Sequence, residues 1–330
     1  MSTTHRRSRA LSHDLAKPLR PGARPARKNH RRPWRSIASS IAALAAVTLV
    51  SACGAPAGSD PSDRTDGADG NGNGTGPKVM ASFYPLQWLT QEIAGSQITV
   101  SSLTPKGAEP HDSELELSQV SALGEADLLV TLGGFQAAVD QAVEANPPKA
   151  VLDAADVVPV EGDDPHFWLD PTLMAELATP VAEALAQADP AGGPGYVERA
   201  NATAAALKDL DQELSAGLSD FKGSILVTTH AAFNYLSARY GLDAMSIVGV
   251  DPEVEPSPAR IAEVAQQLTG LKVKTIYFED QASPKTAEVL ADRLGLATAV
   301  LNPIENDNAG DYLQTMRSNL TALQSGLESP

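Results

Sequence analysis

The chain has 330 residues, 42% of them apolar and 20% charged, an ordinary globular composition long enough for two folding units. Charge is uneven: residues 1–52 hold 11 of the 25 Lys and Arg and a single acid, Asp14, so the remainder sets 14 basic against 40 acidic residues, a net charge of −26. A field of that sign argues against nucleic acid or anionic lipid as a partner of the folded part.

The first segment reads as an address. An Arg-rich stretch ending in RRPWRS precedes IASSIAALAAVTLVSA, an apolar run of signal-peptide length ending in small residues. Serines interrupt it, and it falls short of the roughly 20 residues a membrane-spanning helix needs. It stops at Cys53, the only cysteine, and LVSAC resembles a bacterial lipoprotein box. Residues 1–52 are thus expected to leave as a signal peptide, with Cys53 lipidated. Residues 53–77 are rich in Gly, Asp, Pro and Ser, cannot bury enough apolar surface to offset their ordering entropy, and read as a disordered tether. The expected location is the cell membrane, lipid-anchored on the extracytoplasmic face. With no second cysteine, packing rather than an internal disulfide must hold the fold.

From Lys78 onward short apolar segments alternate with helix-period segments. VMASFY, ITVSSL, DLLVTL and AVLDAA read as strands, with helices near 86–93, 113–124 and 135–145. A long helical pattern follows the breaker DPAGGPG, running from Tyr196 to Phe221 with Leu207, Leu210, Leu214, Leu218 and Phe221 at three- and four-residue spacing. SILVTT, AMSIVG, TIYFE and TAVLN then repeat the strand pattern, separated by helices near 231–240, 258–269 and 284–294. The expected fold class is α/β, with two lobes that are each a four-stranded, mostly parallel sheet with flanking helices, joined by one long helix. The first lobe is expected over 78–193, the linking helix over 194–222 and the second lobe over 223–330. A stiff helical link favours a limited range of lobe motion.

Three of the six histidines, His5, His13 and His30, fall in the segment expected to be removed, which leaves His111, His166 and His230. His111 follows SSLTPKGAEP, His166 lies in DDPHFWLDP, and His230 comes directly after the strand SILVTT. Ligands of open α/β sheets bind beyond the carboxyl ends of strands, where such loops converge. Pro110 and Pro165 restrict where the first two imidazoles point. Three neutral imidazoles suit a borderline metal such as zinc, which normally takes four ligands. The fourth is expected to be a carboxylate near a late strand, and AVLNPIEND offers Glu305, with Asn302, Asp307, Glu279 and Asp280 as competitors.

From Lys78 to the C-terminus the chain resembles the zinc/manganese solute-binding lipoproteins of bacterial ABC importers (cluster A-I, cluster 9). SFYPL, LTPKGAEPHDSEL, EADLLV, DPHFWLDP, TTHAAFNYLSARYGL and SPKTAEVLADRLG carry the resemblance, in that family's order. It implies that His111, His166 and His230 bind the metal and that an acid after the last strand completes the site. Many members have LDP there with the aspartate as ligand. This chain has LNP, and members with NPLE use the glutamate, which supports Glu305. The His-rich loop that many zinc-specific members carry before the second histidine is replaced by a short acidic EGDD. Manganese-importing relatives tend to have a carboxylate at the position of His230, so three imidazoles point to Zn(II) as the transported ligand, one ion per protein.

The function expected is therefore capture of Zn(II) between the lobes and delivery to an ABC importer permease, by a monomer that is not an enzyme and that touches the membrane through its lipid. Alternatives are a Mn(II) or other divalent-metal binder of the same kind, or a three-histidine zinc hydrolase with an open fourth position. Closure of that position by Glu305 separates the hydrolase from the carrier.

Overall fold

A computed structural model describes residues 76–279 and 283–329. Its elements run β1 (Val79–Ala81), α1 (Tyr84–Ala94), β2 (Val100–Ser102), α2 (Leu117–Gly124), β3 (Leu128–Thr131), α3 (Ala137–Ala145) and β4 (Val151–Asp153). Two long helices follow, α4 (Pro171–Ala188) and α5 (Gly193–Gly217). The chain then continues through β5 (Ile225–Thr228), α6 (Asn234–Tyr240), β6 (Asp243–Ser246), α7 (Pro258–Leu268), β7 (Thr275–Phe278), α8 (Lys285–Leu294), β8 (Ala297–Val300) and α9 (Tyr312–Gly326). The signal segment, the tether and Cys53 lie outside the described residues. No helix among the described residues is long and apolar enough to cross a membrane.

Each lobe carries a four-stranded sheet, ordered β2-β1-β3-β4 in the first and β6-β5-β7-β8 in the second. The strands of both sheets pair in parallel, with Val79 beside both Val100 and Leu128 and Val227 beside Met245 and Ile276. Parallel neighbours need crossovers, which the helices supply, so all strands of a sheet end on the same side. β1 and β3 are buried on both faces, in keeping with the unbroken apolar runs VMA and LLV. The second sheet repeats the order of the first, as the repeated strand pattern requires.

α5 begins three residues before the expected Tyr196 and ends at Gly217, after which Ser219–Phe221 form one turn of 3-10 helix. Its 25 residues span about 38 Å. Tyr196, Ala200, Thr203, Leu207, Leu210 and Leu214 form its buried stripe and pack towards α4, α1 and α9. One hydrophobic core runs from Val79 and Leu128 through Trp168 and Leu207 to Leu226 and Met316, so both lobes draw on the same packing.

Two helices lie where periodicity gives no expectation. α4 contains Pro180, which removes a helical hydrogen bond and breaks the sequence pattern, yet Met174, Leu177, Ala178, Val181, Ala182 and Leu185 are buried along one face. That burial outweighs the local cost, and the Asp170 side chain caps the start by accepting from the Thr172 N–H at 2.8 Å. α9 is polar on average and buries only Tyr312, Met316 and Leu323 among its large side chains, so its apolar signal is thin. The helix expected from residue 113 starts instead at Leu117, where a Glu116–Gln119 capping box forms, and the residues before it stay in the loop that carries His111.

Candidate metal centre

The loops beyond the carboxyl ends of β2, β4, β5, β7 and β8 meet between the sheets. His111 comes from the loop after β2, His166 from the segment between β4 and α4, His230 from the end of β5, and Glu305 from the turn after β8. His166 and His230 are fully buried and Glu305 is 5% exposed. The three ring centroids lie 5.3–6.4 Å apart.

Glu305 is the hub. Its Oε1 lies 3.0 Å from His166 Nε2 and 3.4 Å from His230 Nε2, the second contact lacking hydrogen-bond geometry. His111, His166 and Glu305 offer ligand atoms all within 4.8 Å of one another, and His230, Glu279 and Glu305 form a second such set. Glu305 belongs to both. Among the described residues the buried Nε2 atoms of His111 and His230 have no hydrogen-bond partner. Buried polar atoms left so are rare, and here they converge on a carboxylate, an arrangement that a divalent cation would complete.

Each imidazole is held from behind by its own carboxylate. Glu109 Oε1 is 2.5 Å from His111 Nδ1 and accepts the backbone N–H of the same residue at 3.1 Å. Asp164 Oδ1 does the same for His166, 2.7 Å from Nδ1 and 3.0 Å from the backbone nitrogen. His230 Nδ1 makes a very short contact to Glu279 Oε1, which also accepts from the Thr229 hydroxyl at 3.1 Å. A carboxylate accepting from Nδ1–H orients the ring and directs any further proton loss to Nε2, the usual outer support of metal-bound histidine.

Two of these supports share one local device. Glu109-Pro110-His111 and Asp164-Pro165-His166 are the same acid-proline-histidine tripeptide, in which the proline fixes the turn that folds the acid back onto the histidine two residues later. The tripeptide is the sequence signal that could have marked Glu109 and Asp164. Glu279 reaches His230 from the residue just after the neighbouring strand β7, and a contact across 49 residues has no local signature.

The charge balance matches this geometry. Burial pulls the His230 imidazole down, but the carboxylates of Glu279 and Glu305 prevail and push its pKa up to about 10. Burial likewise opposes, and Glu109 and Glu305 outweigh it, so His111 also lies above its ordinary value. Burial would raise Glu305, yet His166 and His230 hold it well below the carboxylate range. Asp164 is lowered in the same way, His166 and Asn234 overcoming its burial.

Of the competitors for the fourth position, the three that are described each have another partner, and Glu279 also stays within ligand distance of Glu305. Asn302 Oδ1 accepts the Ile304 N–H at 2.7 Å, Asp307 lies 3.5 Å from Lys106, and Glu279 is taken up by Nδ1 of His230, while Asp280 lies outside the described residues. Ile304 sits at φ 59°, the left-handed region that a β-branched side chain rarely enters. That conformation turns Glu305 back between the lobes. Trp168 Nε1 fastens the same turn by donating to the Pro303 carbonyl at 2.8 Å. A cavity of about 410 Å³ opens beside the centre, and Glu109, Glu253, Glu255, Glu279 and Glu305 give it an acidic lining.

The chain is similar to known zinc-binding proteins. The family model described as zinc-uptake complex component A, periplasmic (ZnuA), matches residues 79–326. The zinc-binding lipoprotein AdcA of Streptococcus pneumoniae (strain ATCC BAA-255 / R6) is 31% identical over 274 residues, 74% of this chain and 55% of that protein. The high-affinity zinc uptake system protein ZnuA of Bacillus subtilis (strain 168) is 29% identical over 310 residues, 84% of this chain and 94% of that protein. The crystal structure of the Zn(II)-bound ZnuA-like domain of Streptococcus pneumoniae AdcA superposes with a TM-score of 0.67 at 33% identity, covering 76% of this chain and 98% of that one. The chain thus spans about half the length of the AdcA proteins it matches and nearly all of the Bacillus protein.

Proposed function

This chain belongs to the family of zinc-uptake complex component A, periplasmic, and from that premise we propose that it is an extracytoplasmic solute-binding lipoprotein that captures one Zn(II) ion and delivers it to an ABC importer permease. The observation that carries the reading is the convergence of His111, His166 and His230 on Glu305, each imidazole backed by a carboxylate. In this reading the three Nε2 atoms and the Glu305 carboxylate bind the ion, giving the four-coordinate N3O environment that suits zinc and is softer than the oxygen-rich one manganese prefers.

The protein is a carrier and not an enzyme. Glu305 fills the position that a hydrolase leaves open for water, so zinc loading produces no ester or lactam turnover. Because the ligands come from loops of both sheets, the ion stabilises the closed arrangement of the lobes. Cys53 carries the lipid that holds the protein to the outer face of the membrane, as the name lipoprotein of the Streptococcus pneumoniae relative suggests. The carrier acts as a monomer and binds no nucleic acid.

The test is calorimetric titration of metal-free protein with Zn(II), read beside the zinc content of cells that lack the gene and are supplied with wild-type or His166→Ala protein. One ion per protein, and cellular zinc restored only by the wild type, is the expected result. Unchanged affinity in His166→Ala removes that residue from the site.

A further inference from the structure

Asp164 faces both lobes. Its Oδ1 orients His166, and its other oxygen, Oδ2, accepts a hydrogen bond from Asn234 Nδ2 at 2.9 Å. Asn234 opens α6 in the second lobe, four residues after His230, and also donates to the Ala231 carbonyl at 3.2 Å. The next residue reinforces the grip, since the Tyr235 hydroxyl accepts the Glu161 N–H at 2.7 Å and lies 3.3 Å from the Asp164 carbonyl. Glu161 and Asp164 themselves close a small antiparallel bridge. The short acidic segment before His166 is therefore clasped by the helix that follows His230.

We infer that Asn234 is a positioning residue: from the second lobe it holds the far oxygen of Asp164, the carboxylate that aims the His166 imidazole, so that contact between the lobes sets the geometry of a first-lobe ligand. This rests on the zinc-site reading above. The physical reason is that a carboxylate held at both oxygens cannot swing, and an imidazole bonded to a fixed carboxylate keeps its Nε2 on one line. With Asn234 absent, Asp164 keeps His166 but rotates about its own side chain, and the ligand atom loses its fixed aim. Asn234 is itself exposed, so the fold does not depend on its side chain.

The experiment measures Zn(II) affinity by competition with a chelator in wild type, Asn234→Ala, Asn234→Asp, Asp164→Ala, the Asn234→Ala/Asp164→Ala double variant and His166→Ala, with metal-free melting temperatures alongside. Loss of one hydrogen bond to a charged acceptor predicts a weakening of about threefold to tenfold for Asn234→Ala, with the protein still folded and its metal-free melting temperature lowered by no more than a few degrees. Asn234→Asp, nearly the same size but facing Asp164 with a like charge, should weaken binding further. In the Asp164→Ala background, Asn234→Ala should cost nothing more, because the path through Asp164 is already cut. Full additivity of the two substitutions, or wild-type affinity in Asn234→Ala while His166→Ala loses zinc, overturns the inference and leaves the site reading standing. Wild-type affinity in His166→Ala overturns both.

Discussion

His166 Nε2 and Glu305 Oε1 lie 3.0 Å apart although 139 residues separate them in the chain. Two further hydrogen bonds secure the meeting: Trp168 Nε1 donates to the Pro303 carbonyl at 2.8 Å, and the Tyr312 hydroxyl donates to the Trp168 carbonyl at 2.5 Å. The turn of 3-10 helix at Phe167–Leu169 and the turn before Glu305 are thus one packed unit, in which Trp168 and Tyr312 are fully buried. As the proposed ligand pair these two side chains need little ordering on metal binding, and preorganisation of that kind favours tight binding.

Removing either member should therefore be costly for zinc. Structural zinc sites with four ligands bind with about 10–16 kcal/mol, so one ligand accounts for about 3 kcal/mol, a loss on the order of 100-fold in affinity. Glu305→Gln is the cleaner variant because it keeps the side-chain shape and removes the charge. Chelator competition should show that weakening for Glu305→Gln and for His166→Ala. A change of less than about threefold for Glu305→Gln would move the fourth ligand elsewhere.

The Ile304 turn makes a second expectation. A β-branched residue in the left-handed region costs about 1–2 kcal/mol, and the Asn302 side chain offsets this by accepting the Ile304 N–H at 2.7 Å. Asn302→Ala loses that acceptor and should loosen the presentation of Glu305, weakening zinc about tenfold, in the range seen for outer-shell partners. Asn302→Asp retains an oxygen at the same place and should bind zinc nearly as wild type does. Equal affinities in all three proteins would separate the turn from the site.

These residues also show what the sequence makes legible and what it hides. That His111, His166 and His230 lie near one another was legible because few imidazoles occur in the chain and each sits in a loop after a strand, whereas Glu305 was one of several acids and was favoured by the family resemblance. Both sheets and the long helix were legible because parallel strands and a three-to-four leucine stripe impose clear periods. α4 escaped because Pro180 breaks its pattern while tertiary burial restores the helix. Glu279 was visible only as a competing ligand, because its pairing with His230 depends on β5 and β7 lying side by side. Ile304 left no trace, since nothing in NPIE announces a positive φ on isoleucine.

Protons and zinc should compete at His230. With its pKa pushed up to about 10 in the metal-free protein, this imidazole is charged at pH 7, held between Glu279 and Glu305. Its pairing stabilises the metal-free fold fully below the unfolded value of about 6.5 and is lost as pH rises through the folded one. Zinc needs the neutral Nε2, so binding at pH 7 should release about one proton, and affinity should rise by up to about tenfold per pH unit between pH 6 and pH 8. Titration in two buffers of different ionisation enthalpy counts the proton directly. An affinity independent of pH across that range would contradict the pairing.

The Asp211–Arg239 pair gives a stability prediction that does not involve the proposed metal ligands. Arg239 grips both carboxylate oxygens, Nε at 2.8 Å and Nη2 at 2.7 Å, and the Tyr240 hydroxyl adds a bond at 3.2 Å, which ties α6 to α5. Those bonds, against the opposing effect of burial, hold the Asp211 carboxyl below its ordinary range. A lowered carboxyl stabilises the fold above its unfolded pKa of about 3.9, and that contribution disappears as pH falls through the folded value. Because Arg239 is partly exposed, solvent screens the pair, and Asp211→Asn should cost about 1–2 kcal/mol at pH 7, a fall of about 2–6 °C in melting temperature. The gap between variant and wild type should stay constant from pH 7 to pH 5 and close in stronger acid. A gap that persists below pH 3 would mean that Asp211 acts through packing rather than charge.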